Sequence, residues 1–313
     1  MDVALSTVKQ RLLNILRDSR EPLSGEQLCS RLGVSRVTVW KHVQALQALD
    51  YPIATSRRGY CLNAEEDVLQ PWEFPGREAR IHCYREIDST MNAARELARE
   101  GCPEFTVVTA DRQQQGRGRM TRSWLSDPGG LYFTIVLRPA LPAALASLTT
   151  FAAGVVWVRV LAEAYGLAAG LKWPNDLLVE ERKLSGMLSE METRGDMVRF
   201  VNIGTGLNVN NDPTEQEPRA VSMKMLTGRP QSRRRLLTLF LDRFEEHQAG
   251  PGFDSVIDDW KGFSITLNRP VTIQTISDTF SGIARDVDET GALILELPNG
   301  RRQRVVHGDC FHQ

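Results

Sequence analysis

The chain has 313 residues, 42% of them hydrophobic and 25% charged, with a formal net charge of -1 at pH 7. That length and composition supply two or three folded cores and exclude a disordered or fibrous chain. Five scattered cysteines, Cys29, Cys61, Cys83, Cys102 and Cys310, form no C-x-x-C pair and follow no signal peptide, which argues against a disulfide framework or zinc site and for the reducing cytoplasm.

The near-zero charge hides an uneven distribution. Residues 1–62 hold nine Lys/Arg against five Asp/Glu, so the N-terminal segment is basic and can approach a polyanion. TVKQRLLNILRD places Val8, Leu12, Leu13, Ile15 and Leu16 on one helix face. Ser24 with Gln27 reads as a capping box opening GEQLCSRL, which Gly33 ends. Ser35 then caps a third helix that buries Val39, Val43 and Leu46 and leaves Arg36, Thr38, Trp40 and Lys41 exposed near its start. The runs IAT and YCL flank Ser56-Arg57-Arg58-Gly59, a hairpin with two arginines at its tip. Two helices, a third helix and a basic wing form a DNA-binding arrangement. The wing arginines Arg57 and Arg58 would position on phosphate, Arg36 and Thr38 are candidates to reach base edges, and Lys41 is among the groove contacts.

The polar stretch AEEDVLQPWEFPGRE reads as a linker, with the domain boundary near residue 64. Beyond it strands dominate: ARIHCYREI, EFTVVTAD, GLYFTIVL, KLSGMLSEME and VRFVNIGTG, with one helix after Asp88-Ser89-Thr90 and an apolar helix from Leu148 to Tyr165. Arg159 and Glu163 interrupt that apolar run, which reads as a core helix and not a membrane span. The pattern predicts an α+β domain with a mixed sheet. After the helix SRRRLLTLFLDRFEEHQ come four short runs separated by Gly, Asp and Asn turns, predicting a small β-barrel from about residue 268.

Three motifs carry chemistry. GRGRMTRSW, Gly116 to Trp124, starts like a dinucleotide fingerprint, but Thr121 replaces the third glycine and a strand follows, so it is not a Rossmann turn. Its glycines permit close backbone approach, and its guanidinium groups suit carboxylate or phosphate oxygens. In LKWPNDLLVEERKLSGML, Pro174 forbids a regular strand, and a turn or bulge at Asn175-Asp176 would push Lys172, Asn175 and Asp176 toward a ligand. In NIGTGLNVNND, Gly204 and Gly206 interrupt an apolar strand, which suggests backbone pressed against a ligand or another element.

In order, IDST, QQQGRGRMTRSW, KWPNDL, ERKLSGML and GTGLNVN, preceded by a winged helix and followed by GIARDVDETGALILE, resemble the biotin protein ligases, specifically the bifunctional kind that doubles as biotin operon repressor. The resemblance covers nearly the whole chain. It implies a winged helix-turn-helix over residues 1–64, a mixed-sheet ligase domain resembling class II synthetases over 65–266, and an SH3-like barrel over 267–313. It also implies acyl transfer in two steps, from biotin and Mg-ATP through biotinyl-5'-AMP to a lysine of a biotin carboxyl carrier protein of acetyl-CoA carboxylase or a related carboxylase. No protein nucleophile is required, which agrees with the absence of G-x-S-x-G and Walker A motifs. Operator DNA and a homodimer in the adenylate-bound form complete the implied partners, with no membrane.

Residue by residue, the resemblance assigns Ser89, Thr90 and Gln113 to the biotin ring, and Arg117, Gly118 and Arg119 to the loop closing on biotin and its adenylate, with Trp124 as its apolar wall. It assigns Lys183 to the carboxylate and acyl-phosphate oxygens. Lys172, Asn175, Asn208, Arg119 and Arg122 fall on the nucleotide side, and Asp176 orients the acceptor amine or takes its proton. No Mg2+ ligand is named. Met120, Thr121 and Ser123 stand where many relatives have Arg, Gly and Lys, Met91 precedes Asn92 where some have Asn directly, and the adenine-side stretch NNDPTEQEPRAVSMKML has no tryptophan. A biotin sensor without ligase activity, and a ligase for lipoate or octanoate, are the competing readings.

Overall fold

The computed structural model describes residues 6–62, 67–120, 122–215, 217–250 and 252–313. The expected boundary near residue 64 and Thr121 lie outside the described residues. Internal contacts divide the chain into two units, Met1–Ala79 with Ser232–Arg234, and Arg80–Gln231 with Arg235–Gln313.

The first unit starts with three helices, α1 (Ser6–Arg17), α2 (Gly25–Leu32) and α3 (Arg36–Gln47), followed by the hairpin strands β1 (Ile53–Ser56) and β2 (Gly59–Leu62). Both halves of the capping box form: Ser24 Oγ accepts from Gln27 N at 3.2 Å, and Gln27 Oε1 accepts from Ser24 N at 2.8 Å. Gly33 ends α2 at φ 71, a left-handed conformation open to glycine without a Cβ penalty. Leu12, Leu16, Leu28, Val39, Val43 and Leu46 form the core. The hairpin is pinned to Leu23, whose N–H donates to Tyr60 O and whose carbonyl accepts from Tyr60 N, both at 2.8 Å.

The described part of the expected linker is packed rather than loose. Val68, Leu69 and Phe74 are buried, and the Glu73 side chain, 3% exposed, accepts from Arg17 at 2.8 Å, from Tyr51 Oη at 2.5 Å and from Arg234. Burial, with Glu73 beside it, pushes the Tyr51 hydroxyl pKa up. A sequence scan reads such a glutamate as solvated because its partners are far away in the chain; a buried carboxylate is kept only when it is paired.

The second unit is built on β3 (Ile81–Ile87), α4 (Thr90–Arg99), β4 (Thr106–Gln113), β5 (Leu131–Leu137), α5 (Leu148–Tyr165), β6 (Gly170–Lys172), β7 (Asp176–Val179), β8 (Arg182–Arg194) and β9 (Met197–Leu207). Then come α6 (Met223–Thr227), α7 (Arg233–Ala249), α8 (Val256–Phe263), β10 (Pro270–Gln274), β11 (Thr279–Val287), β12 (Leu293–Glu296), β13 (Arg302–Val305) and β14 (Asp309–His312). Among the described residues β3 to β9 make a seven-stranded sheet in the order β3-β4-β5-β9-β8-β7-β6. Only the β3–β4 pair is parallel, so the sheet is mixed, as expected.

Every residue of β5 is buried, because the sheet is covered on both faces. On one face Ala94 and Ala98 of α4 pack on Val108, Val136 and Phe200. On the other, Trp157 of α5 stacks on Phe240 of α7 with ring centroids 4.6 Å apart, and Phe240 meets Phe133 at 5.4 Å. Residues Ala143–Tyr165 are long and apolar enough to cross a membrane by length and composition, yet 78% of their most apolar 18-residue window is buried inside the fold.

Several elements go beyond the sequence reading, α6, β6 and β7 among them. The amphipathic α8 buries Val256 and Trp260. The C-terminal segment forms a five-stranded antiparallel sheet in the order β13-β12-β11-β10-β14, one strand more than the four runs expected. The extra strand, β14, pairs with β10 through Gln274↔Asp309 to Val271↔His312.

Candidate active site

In the second unit a cavity of about 320 Å3 lies against the sheet, within the size range of small-molecule sites. Its floor is glycine. Gly186 of β8 pairs with Gly206 of β9, and Gly204 lies two residues along. A Cβ on Gly206 would stand 2.4 Å from the Trp124 indole and one on Gly186 2.9 Å from it, while one on Gly204 would stand 2.9 Å from Met91 Cε. The paired glycines are there so that side chains can lie flat on the strands.

The wall at the start of α4 is a chain of neutral hydrogen bonds. Thr90 donates to Gln113 Oε1 through its N–H at 2.8 Å and its hydroxyl at 3.0 Å, and Gln113 Nε2 donates to Ser126 Oγ at 2.8 Å. Ser89 Oγ and Trp124 Nε1 are buried without a protein partner among the described residues. Buried donors of this kind are normally satisfied, so both are available to polar atoms of a ligand.

The opposite wall is the arginine segment, folded as a closed hairpin. Gly118 N donates to Arg122 O at 2.7 Å and Trp124 N to Gly116 O at 2.8 Å. A Cβ at Gly116 would meet Trp124 O at 2.3 Å, which explains that glycine. Arg117 pairs with Glu190 and donates to Asn92 Oδ1 at 3.2 Å. Asn92 is tied to Asp88 as well, at 2.8 Å, and does not line the cavity. Arg119 reaches Gly308 O at 3.0 Å, Asn175 Oδ1 at 3.4 Å and Asp309 Oδ1 at 3.8 Å, and Arg122 pairs with Asp309. Burial pushes the Arg119 guanidinium pKa down, opposed by Asp309 and Asp176; the group stays cationic.

Between the walls Lys183 Nζ stands 2.8 Å from Asp176 Oδ1 and 5.4 Å from the Trp124 ring centroid, an ion pair reinforced by a cation–π contact. The turn after β6 brings Asp176 opposite Lys172 and, on its other side, opposite Gly186. Asn175 donates to Met187 O and its carbonyl accepts from Met187 N at 3.0 Å, tying the turn to β8. The segment after β9 clamps the lysine's backbone, with Lys183 N donating to Arg219 O at 2.7 Å and Val221 N to Lys183 O at 2.9 Å. Pro213, Glu217 and Ala220 of this segment line the cavity, as does the buried Asn208.

Thus Ser89, Thr90, Gln113, Arg117, Gly118, Arg119, Arg122, Trp124, Asn175, Asp176, Lys183 and Asn208 share one cavity. Lys172 does not line it, although it is the cross-strand partner of Asp176, which does. Asp309 was missed, since an HGD turn near the C-terminus carries no local sign of the two arginines it meets.

In the first unit Arg36, Lys41, Arg57 and Arg58 are exposed and form no ion pair among the described residues. Thr38 is half-buried, its hydroxyl 2.9 Å from Ser35 Oγ in the helix cap. Trp40 is 53% exposed beside them.

A helix-turn-helix with unpaired cations, carried on one chain with a glycine-floored cavity walled by arginines and a lysine, defines a class: a nucleic-acid-type module joined to a small-molecule site for anions. The comparisons make this specific. The HTH domain model matches residues 8–61, the biotin/lipoate A/B protein ligase family model residues 84–208, and the biotin protein ligase C-terminal domain model residues 266–313. The chain is 32% identical over 317 residues to the bifunctional ligase/repressor BirA of Bacillus subtilis, covering 94% of this chain and 96% of that one. It is 30% identical to that of Escherichia coli, covering 93% of each. A structure of biotin protein ligase from Aquifex aeolicus in complex with biotin and ATP is 27% identical, with a TM-score of 0.62, covering 75% of this chain and 98% of that one. The chain belongs to the biotin protein ligase family, with the helix-turn-helix of its bifunctional ligase/repressor members.

Proposed function

We propose that the protein joins biotin to AMP from Mg-ATP and passes the biotinyl group to a lysine of a biotin carboxyl carrier protein. In the first step a biotin carboxylate oxygen attacks the α-phosphorus; a phosphorus–oxygen bond forms, the bond to the β-phosphate breaks, and pyrophosphate leaves. In the second the acceptor amine attacks the acyl carbon; a carbon–nitrogen bond replaces the carbon–oxygen bond, AMP leaves, and one proton is lost.

The observation that carries this reading is the convergence of Lys183, Asp176 and Arg119 on one cavity. Fixed cations at developing negative charge stabilise both steps without reorganising during reaction, and a walled cavity holds the reactants in attacking geometry. Ser89, Thr90 and Gln113 face the ureido ring, and the apolar face of Trp124 the rest of biotin. Arg117, Gly118 and Arg119 close on the carboxylate and adenylate, with Arg122, Asn175 and Asn208 on the nucleotide. Asp176, held by Lys183, orients the incoming amine. Among the described residues no three His, Cys, Asp or Glu side chains stand together as metal ligands, and the cation enters as part of the nucleotide, since magnesium is held largely by phosphate oxygens and waters.

The first unit acts as a biotin-responsive repressor. The adenylate-loaded chain pairs as a homodimer on two half-sites of operator DNA, because a helix-turn-helix reads symmetric sites in pairs. Arg57 and Arg58 contact phosphate, and Arg36 reaches base edges with Lys41 beside it in the groove. Both partners place the protein in the cytoplasm.

Pyrophosphate release by the purified protein with Mg-ATP tests the chemistry. Release that depends on biotin, and not on lipoate, is expected; biotin binding without release would move the protein to the sensors. A footprint on the promoter of a biotin synthesis operon that fails to strengthen with biotin and ATP would remove the repressor role.

A further inference from the structure

We propose that Asp309 is a positioning residue of the ligase site: from the start of β14 it orients Arg119 and Arg122, so that the C-terminal sheet holds the arginine hairpin closed over the cavity. The inference rests on the ligase reading given above. The hairpin's hydrogen bonds fix only its backbone. The Arg119 guanidinium is fixed by three acceptors, Gly308 O, Asn175 Oδ1 and Asp309 Oδ1, two of them on the turn into β14.

That turn is rigid. Gly308 has φ +153, and a Cβ there would come within 2.7 Å of Ile273 Cγ2 and 2.9 Å of Gln274 O, so the turn is packed directly on β10 and its carbonyl is aimed by the sheet. The charge balance singles out the same residue. Asp176 is engaged by Lys183 at 2.8 Å, which leaves Asp309, 12% exposed, as the carboxylate facing both Arg119 and Arg122. A guanidinium has five N–H donors in a fixed fork, so Asp309 and Gly308 can hold one edge of Arg119 while another faces the reacting carboxylate and phosphate.

Asp309→Asn keeps the shape and removes the charge. Trypsin should nick the ligand-free variant at the hairpin arginines about 5-fold faster than the wild type, with an unchanged melting temperature. Biotin-dependent pyrophosphate release should lose on the order of 100-fold in kcat/KM, and Asp309→Glu should restore part of it. In an Arg119→Gln, Arg122→Gln background the same Asp309→Asn change should cost little, because coupled residues are not additive. Equal nicking of variant and wild type, or an equal loss with and without the two arginines, would overturn the proposal. A wild type that releases no pyrophosphate removes the ligase reading, while the nicking experiment still decides whether Asp309 holds the hairpin.

Discussion

The two charged regions of the molecule treat their cations in opposite ways. Around the cavity each basic side chain already has a carboxylate of its own chain: Lys183 has Asp176, Arg117 has Glu190, and Arg119 and Arg122 share Asp309. On the helix and wing of the first unit Arg36, Lys41, Arg57 and Arg58 have none among the described residues. The difference is one of preorganisation. A site that stabilises charge developing at particular atoms needs its cations aimed beforehand, and internal carboxylates do the aiming. A surface that meets a polyanion gains affinity by releasing counterions, and needs its cations solvated and uncommitted until contact.

The largest expected effect comes from removing an aimed cation. Lys183→Ala should lower adenylate formation by about 1000-fold, the scale on which fixed stabilisers of developing charge are measured, and should leave the first unit folded by circular dichroism. Wild-type pyrophosphate release by this variant would mean that the aimed cations of the cavity are ornaments of packing, and the comparison would collapse.

A smaller loss should follow from filling the floor. At Gly206 a Cβ would sit 2.4 Å from the Trp124 indole, so Gly206→Ala forces Trp124 off the sheet and into the ligand's space. Overpacking of this kind costs roughly 1–3 kcal/mol. Biotin affinity, measured by calorimetry, should fall about 10- to 100-fold while the wing surface keeps its behaviour toward DNA; unchanged affinity would show that Trp124 does not border the bound ligand.

How much of this was legible in the sequence follows the same division. The cap residues Ser24, Ser35 and Gly33 and the apolar spacing of α3 are local signals, and those helices form where the signals place them. The glycines of β9 announced a close approach, although not that Trp124 makes it. What could not be read depends on pairings distant in the chain. Glu73 looked like a linker glutamate until Arg17, Tyr51 and Arg234 surrounded it. Asp309 is 187 positions from Arg122, with which it pairs. Lys172, two residues from Pro174, looked like part of the site, but the turn at Trp173–Asn175 leaves it off the cavity lining. Thr38 was expected to reach base edges, yet its hydroxyl is held in the cap by Ser35.

The smallest effect separates the two kinds of charge most cleanly. Arg57 and Arg58 sit at the tip of a hairpin that Leu23 pins by two backbone hydrogen bonds at 2.8 Å, and Gly59 at φ 126 lets the strand lie against Leu23, where a Cβ would stand 2.1 Å from its carbonyl oxygen. The tip is therefore a pinned mount for exposed side chains, and removing those side chains disturbs no ion pair among the described residues. Arg57→Ala with Arg58→Ala should weaken DNA binding about 10-fold at moderate salt, by similar amounts on specific and random duplexes, and should reduce the slope of log affinity against log salt by up to about 2, since each phosphate contact contributes about 0.9. Biotin-dependent pyrophosphate release should not change. A slope equal to the wild type's would show that the wing does not meet the backbone, and would leave α3 alone to carry the unpaired charge.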